Sequence, residues 1–216
     1  MEALTENSDF DSIYLDYAKA FDKVDHKLLV KKLTLYGIHP KIVKWVESFL
    51  TNRTQSVVVD GTLSLIALII SGVPQGTVLG PILFLIFIND IEHCIIHSIV
   101  RCFADDTRIS IAVKSERDVQ LLQSDLENVI NWSERNNMAL HRDKFEYTCH
   151  TFNKRHMLSE LPFVSGCYQY HVSNDITLQP VHQLRDLGVL VSKDLSWSPH
   201  IKSITSKARQ KGFLGS

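Results

Sequence analysis

Two adjacent carboxylates, Asp105 and Asp106, stand in the middle of the chain between two apolar segments. Like charges disfavour each other's ionised form, and a bound divalent cation removes that cost. Asp16 ends another short apolar segment far upstream. If these segments are neighbouring strands, the three carboxylates meet at one edge of a sheet. Such a set suits two-metal phosphoryl transfer, in which the ions lie roughly 4 Å apart.

The plainer interpretation of the acidic pair is a turn. Aspartate is a common turn residue, and two-residue acidic motifs arise often by chance. Taken alone, the pair therefore favours a turn at the tip of a hairpin. Longer motifs elsewhere in the chain are needed to distinguish a turn from a metal site.

Three longer motifs do occur, and their order and spacing are informative. They are IYLDYAKAFDKVDH at 13–26, SGVPQGTVLGP at 71–81 and FADD at 103–106. Together they resemble the first three palm motifs of reverse transcriptases from non-LTR (LINE-type) retrotransposons. Three motifs of this length in one order are far more specific than an acidic pair, and the resemblance covers most of the chain.

The resemblance implies an RNA-directed DNA polymerase that uses Mg²⁺, for which Mn²⁺ can substitute. Asp16 and Asp105 would be metal ligands and catalytic residues, with Asp106 in support. The partners would be an RNA template, a DNA primer and dNTPs. Such catalysis is mostly positioning and charge neutralisation around a 3′-hydroxyl and an α-phosphate.

The resemblance also implies roles at the substrate. Phe21 would lie under the incoming sugar and exclude a 2′-hydroxyl, although a phenylalanine after a strand is more often a core residue. Pro74, Gln75 and Gly76 would contact the template and the nascent base pair, whereas the alternative is a plain loop before a helix. Lys144 resembles the lysine of a fourth motif and could protonate the pyrophosphate leaving group. The alternative is a surface lysine.

Composition sets the class of protein. The chain has 216 residues, 44% hydrophobic and 22% charged, with a net charge of −1. No apolar run approaches the roughly 20 residues of a membrane helix, and no signal peptide is visible. These features predict an intracellular protein, nuclear or cytoplasmic, without a membrane partner. The four cysteines show no zinc-ligand spacing, and disulfides are not expected in that setting.

Local patterns predict the elements. Capping residues, glycine stops and apolar spacing predict four helices, and apolar runs around turn residues predict two hairpins and one strand-turn segment. The predicted helices are 26–36, 40–49, 78–91 and 115–133, the last with a capping box at Ser115–Asp118, and a further basic helix is predicted at 199–213. The hairpins are 55–69, with a two-residue turn at Asp60-Gly61, and 99–113, and the strand-turn segment is 184–191. Asp22 and Asp25 are interpreted as helix-capping acids. The fold class expected is α+β, with a polymerase palm-type antiparallel sheet packed on helices and a small β/α extension toward the thumb.

The expected domains are a palm at 1–152, with the fingers largely missing, and a primer-grip and thumb-onset extension at 153–216. Few residues precede Asp16, so a truncated, palm-centred fragment is expected. One alternative function is a catalytically inactive remnant that at most binds nucleic acid or protein. Another is an RNA-templated RNA polymerase, against which Phe21 and the long second motif both argue.

Overall fold

The computed structural model describes residues 9–150, 163–164 and 167–212. The helices are α1 (Ala20–Lys23), α2 (His26–Leu35), α3 (Pro40–Leu50), α4 (Leu79–Ile88), α5 (Glu116–Arg135) and α6 (Ser198–Gly212). The strands are β1 (Phe10–Leu15), β2 (Thr54–Gln55), β3 (Val58–Val59), β4 (Thr62–Leu63), β5 (Ala67–Leu68), β6 (Ile99–Phe103), β7 (Asp106–Ala112), β8 (Glu146–His150), β9 (Phe163–Val164), β10 (Cys167–Tyr168), β11 (Tyr170–His171), β12 (Thr177–Leu178), β13 (Gln183–Asp186) and β14 (Val189–Ser192). Short 3-10 helices cover Asn89–Cys94 and Arg142–Lys144.

A four-stranded antiparallel sheet in the order β6-β7-β1-β8 forms the centre of the fold. Ile13 on β1, Ile109 on β7 and Tyr147 on β8 are completely buried. Helix α5 packs behind β7, and α2 packs on α3 and α4. An antiparallel sheet that rests on helices confirms the predicted palm-type α+β class, because one sheet face is buried while the other stays accessible.

The helix boundaries follow the local signals in the sequence. Asp25 caps α2 by accepting a hydrogen bond from the Leu28 N–H at 3.0 Å, which confirms its capping role. Pro40 opens α3 at the first helical position, where its missing N–H costs nothing. Ser115 and Asp118 form the predicted capping box of α5.

Helix α4 ends earlier than predicted. The apolar run predicts a helix through Ile91, but α4 stops at Ile88 and continues as a 3-10 helix. Buried Lys32 donates to the Phe87 carbonyl at 2.6 Å and to the Asp90 carboxylate at 2.7 Å. The Phe87 carbonyl therefore accepts a hydrogen bond from a side chain outside the helix. The chain changes from α-helix to the narrower 3-10 helix just after this residue.

The first hairpin forms around Asp60 and Gly61, whose φ angles of 49° and 78° suit the predicted two-residue turn. Its strands are interrupted, so β3 pairs with β4 and β2 with β5 as separate ladders. The last hairpin joins β13 and β14 across Leu187 and Gly188, again with positive φ angles.

The C-terminal extension packs against the edge of the central sheet. The Tyr170 hydroxyl donates to the buried Asp11 carboxylate at 2.7 Å, and the Val181 N–H donates to the Tyr147 carbonyl. The expected boundary near residue 152 falls at residues outside the described ones. None of the helices in the described residues is long and apolar enough to cross a membrane.

One expectation about the cysteines is wrong. Cys149 on β8 and Cys167 on β10 form a disulfide, with their Cα atoms 6.0 Å apart. That separation lies within the range that a disulfide spans. The sequence could not show it, because the pair meets only when the extension folds back onto the sheet. Cys94 and Cys102 are free thiols.

A buried acid holds the segment before β6. Asp125 on α5 is fully buried. Its carboxylate accepts hydrogen bonds from the backbone of Ile96, His97 and Ser98 and from the Ser98 hydroxyl, at 2.6–3.0 Å. Burial alone would raise the pKa of this carboxyl, but the hydrogen bonds outweigh it and lower the pKa. The charged form is therefore favoured in the folded state.

We expect Asp125 to make folding sensitive to acid. A carboxyl with a lowered folded-state pKa stabilises the fold above its ordinary pKa of about 4. That contribution disappears as the pH falls through the lowered folded-state value. Asp125→Asn should cost roughly 1–3 kcal/mol at neutral pH and flatten the acid dependence. Thermal unfolding from pH 7 to pH 3 measures both, with Asp60→Asn as an exposed control. An unchanged acid slope in Asp125→Asn would contradict this role.

Candidate active site

The register of the sheet brings the acidic residues to one edge. Leu15 pairs with Thr107, so Asp16 follows β1 at the level where β7 begins. Phe103 pairs with Asp106, which leaves Ala104 and Asp105 as the two-residue turn between β6 and β7. The convergence expected from the sequence is thus built by antiparallel pairing of β1 with the acidic hairpin.

Asp16 is held by backbone and side-chain contacts from the segment 140–144, which includes Lys144. The His141 N–H donates to the Asp16 carbonyl at 2.8 Å, and Tyr17 bridges to Leu140. The Lys144 ammonium lies 3.1 Å from the Asp16 carboxylate. With 60% of the Lys144 side chain and 38% of the Asp16 side chain exposed, this ion pair is weak and can open.

The charges of neighbouring carboxylates act on Asp106. The pKa of Asp106 is raised by partial burial and then by the charges of Asp105, Asp16 and Asp186. The neighbouring carboxylates therefore add to the effect of burial at Asp106. Hard carboxylate oxygens are the ligands that Mg²⁺ prefers, and the Lys144 ammonium already occupies a cation position on Asp16. The chemistry of this edge fits a divalent cation.

The side chains do not form a closed metal cage. Within residues 9–150, 163–164 and 167–212, no three His, Cys, Asp or Glu side chains are grouped so that they could hold a metal ion. Asp16 is turned toward Lys144 instead. A cation at this edge would thus have to draw Asp16 from its lysine, and water or substrate phosphates would complete the coordination, as is usual for Mg²⁺.

A cavity of about 690 Å³ opens beside these acids. Its wall carries charges of both signs. The charged residues that line it are Asp16, Arg101, Asp106, Arg108, Asp143, Lys144, Glu146, Arg185 and Asp186. The cationic side chains suit a polyanionic ligand, whereas the acids suit a metal ion.

Phe21 has a structural contact of its own. Its half-buried ring stacks on the buried Phe84 ring of α4, with centroids 4.4 Å apart and planes 16° from parallel. The Phe21 carbonyl also accepts from the Val73 N–H at 2.9 Å. The structure therefore shows a packing role, and the role as a sugar gate stays a prediction.

The second motif is docked onto the end of the first. The exposed Gln75 amide donates to the Asp22 carboxylate at 3.1 Å, so Asp22 holds this loop. The Ser71 hydroxyl donates to the Asp22 carbonyl. Pro74 is half-buried, and Gly76 is exposed with φ 77°. The loop and Phe21 therefore share one neighbourhood, as template and nucleotide contacts would require.

The sequence did not reveal Asp186 as part of the site. Its carboxylate accepts from the Arg108 guanidinium at 2.8 Å and from the Tyr14 hydroxyl at 3.3 Å. The sequence did contain a signal for its two partners, because Tyr14 stands two residues before Asp16 and Arg108 two residues after Asp106. Alternation along strands places each on the same sheet face as its acid.

The turn that carries Asp105 contains a strained residue. Ala104 has φ 54°, a left-handed conformation that costs a non-glycine residue roughly 1 kcal/mol or more. We expect Ala104→Gly to be neutral or to raise stability by up to about 1 kcal/mol, and Ala104→Val to lower it by more than that. Thermal unfolding of the two variants measures this. Equal stability of the glycine and valine variants would show that the turn is not strained.

Comparison with known proteins shows the family to which the chain belongs. The family model for reverse transcriptase (RNA-dependent DNA polymerase) matches residues 12–213. The RNA-directed DNA polymerase from mobile element jockey of Drosophila funebris is 29% identical over 222 residues, covering 98% of this chain and 23% of the relative. Its Drosophila melanogaster counterpart is 30% identical over 220 residues, with the same shares.

The chain thus spans about a quarter of the length of these curated relatives, 23% in each case. Among solved structures, apo telomerase from Candida tropicalis superposes with a TM-score of 0.60 at 12% identity. That match covers 90% of this chain and 37% of the telomerase chain, and it supports the palm-type fold. The chain belongs to the reverse transcriptase (RNA-dependent DNA polymerase) family, and its relatives are the polymerases of non-LTR retrotransposons.

Proposed function

We propose that this chain carries the catalytic centre of an RNA-directed DNA polymerase. Its substrates would be an RNA template, a DNA primer and dNTPs, and the reaction joins the primer 3′-hydroxyl to the α-phosphate. The observation that carries the proposal is the sheet edge where Asp16 follows β1 at the level of Asp106 and of the turn that holds Asp105, beside a cavity whose wall carries acids and cations. Family membership supports the same reaction.

Asp16 and Asp105 are the proposed ligands of Mg²⁺, and Asp106 supports them. When bound, the ions would neutralise charge on the reacting phosphate and favour the alkoxide form of the primer terminus. Asp106 follows Asp105 in the chain and begins β7 at the level where Asp16 follows β1. Its charge adds to the field that attracts a cation without a requirement for direct contact.

Lys144 is proposed to act on the pyrophosphate leaving group. Its ammonium lies 3.1 Å from Asp16 in a weak, partly exposed ion pair. When Asp16 turns to a cation, Lys144 is released toward the cavity that it also lines. An ammonium at that place can bind the departing pyrophosphate and donate a proton to it. Arg101 and Arg185 line the same cavity and can hold further phosphate groups.

RNA-templated primer extension with Mg²⁺ or Mn²⁺ tests the proposed reaction. We expect the chain to add the dNTP that the template base specifies. A folded protein that adds no nucleotide with either ion would overturn the proposal. That result would favour the alternative, an inactive remnant that binds nucleic acid or protein. Its supporting observation is that Asp16 already pairs with Lys144 instead of joining a closed three-ligand set.

Phe21 is proposed to select deoxyribonucleotides. Phe21→Ala should increase ribonucleotide incorporation relative to deoxyribonucleotide incorporation by roughly tenfold or more, because a pocket that rejects by steric contact loses that contact. The same change removes the stacking on Phe84 and should lower stability by about 3 kcal/mol. Phe84→Leu is the matched control, since it disturbs the same packing and leaves Phe21 in place. Equal discrimination in Phe21→Ala and wild type would refute the gate.

A further inference from the structure

Asp186 joins the C-terminal hairpin to the face of the sheet that carries the proposed metal ligands. Its carboxylate is 2.8 Å from the Arg108 guanidinium, a residue 78 positions away. The same guanidinium nitrogen donates to the Tyr14 hydroxyl at 3.2 Å. The guanidinium carbon lies over the Tyr14 ring, 5.6 Å from its centroid. Tyr14 in turn donates to Asp186 at 3.3 Å. Arg108 is thus held on two sides.

Arg108 stands close to the acids of the site. Tyr14 and Arg108 are paired across β1 and β7. Because side chains two residues apart along a strand share a face, Arg108 projects from the same face as Asp106. The two Cα atoms are about 7 Å apart by strand geometry, and a guanidinium spans that distance easily. Arg108 is therefore a cation within reach of Asp106, at the edge that carries the proposed metal ligands.

A cation free to reach Asp106 would compete with a metal ion. Guanidinium binds carboxylates in a bidentate manner and does not lose its charge. The Asp186 contact occupies this competitor, because the guanidinium is paired with the Asp186 carboxylate at 2.8 Å. Only 27% of the Asp186 side chain and 37% of the Arg108 side chain are exposed, so the pair is better shielded than the Lys144–Asp16 pair.

We infer that Asp186 is a positioning residue that holds the Arg108 guanidinium away from Asp106 and Asp16, so that these carboxylates remain available to a divalent cation. This inference rests on the proposed metal site. A residue that only anchored the hairpin would give a different result when Arg108 is also removed. If Arg108 is a restrained competitor, its removal does not harm metal binding and compensates for the loss of Asp186.

Binding of Mn²⁺ alone to the full chain, followed by electron paramagnetic resonance, tests the inference without any need for polymerase activity. Asp186→Ala should weaken Mn²⁺ binding by about tenfold, since it frees a positive charge near the site. Arg108→Ala should bind Mn²⁺ as tightly as wild type or more tightly. The double variant Asp186→Ala with Arg108→Ala should recover most of the wild-type affinity. Thermal unfolding confirms that each variant is folded.

Controls separate the possible outcomes. Asp105→Asn should abolish Mn²⁺ binding, so that the spectrum is that of the free ion. This result would locate the bound ion at the acidic turn. Asp143→Ala removes a carboxylate from the same cavity wall and should weaken binding less than Asp186→Ala does. A double variant as weak as Asp186→Ala would overturn the inference and leave Asp186 as an anchor. Wild-type affinity in Asp186→Ala would also overturn it, with the metal site intact. No Mn²⁺ binding by wild type would overturn the metal site and the inference together.

Discussion

Replacement of Asp105 by asparagine is expected to reduce RNA-templated primer extension by about a thousandfold. Asparagine keeps the size of the side chain and removes the charge that a divalent cation needs. Asp105 lies in the exposed-edge turn between β6 and β7, so the change leaves the core untouched. Single-turnover extension at saturating dNTP measures the effect on the chemical step.

Asp16→Asn should give a loss of similar size, because Asp16 meets the acidic turn from the neighbouring strand. Asp60→Asn is the matched control: Asp60 lies in the turn of the first hairpin, and its φ of 49° is one that asparagine tolerates well. Extension by Asp105→Asn within tenfold of wild type would show that the chemistry takes place elsewhere.

Gly80→Ala is the second change for which we expect a large effect. Gly80 is buried in the first turn of α4, and a Cβ atom there would overlap the Pro74 carbonyl. That carbonyl accepts from the Thr77 hydroxyl at 2.8 Å, and the hydroxyl oxygen accepts from the Gly80 N–H at 3.0 Å. The added methyl group would push the loop that carries Gln75 away from the helix and break both hydrogen bonds.

We expect Gly80→Ala to lower stability by about 1–3 kcal/mol, as overpacking does. Primer extension should fall by roughly tenfold or more, since the loop would no longer be placed for the template. Gly61→Ala is the matched control because the space around Gly61 is open and only its φ of 78° opposes the change. If Gly80→Ala extended primers like wild type, the loop of the second motif would have no part in positioning substrates.

Much of the fold could be predicted from the sequence because its signals are local. Asp25, Pro40 and the Ser115 capping box each fix a helix start within a few residues. The Asp60-Gly61 turn fixes a hairpin in the same manner. The position of the carboxylates at one sheet edge followed from strand ends together with the resemblance. Each of these inferences depended on neighbours in the sequence or on a known motif.

The parts that could not be predicted depend on contacts between distant segments. Arg108 and Asp186 are 78 residues apart, and nothing near either residue indicates the other. Cys149 and Cys167 meet because the extension folds back onto β8. Asp11 shows the same limit. It is fully buried and accepts hydrogen bonds from Tyr147 and Tyr170, which lie far along the chain.

The measurement that tests the central claim most directly is single-nucleotide addition to a DNA primer on RNA templates that differ only in the base to be copied. Wild type and Asp105→Asn are compared in the presence of Mg²⁺. The account predicts that wild type adds the complementary dNTP on each template and that Asp105→Asn adds none on the same time scale. Template-directed addition by both proteins, or by neither when both are folded, would contradict it.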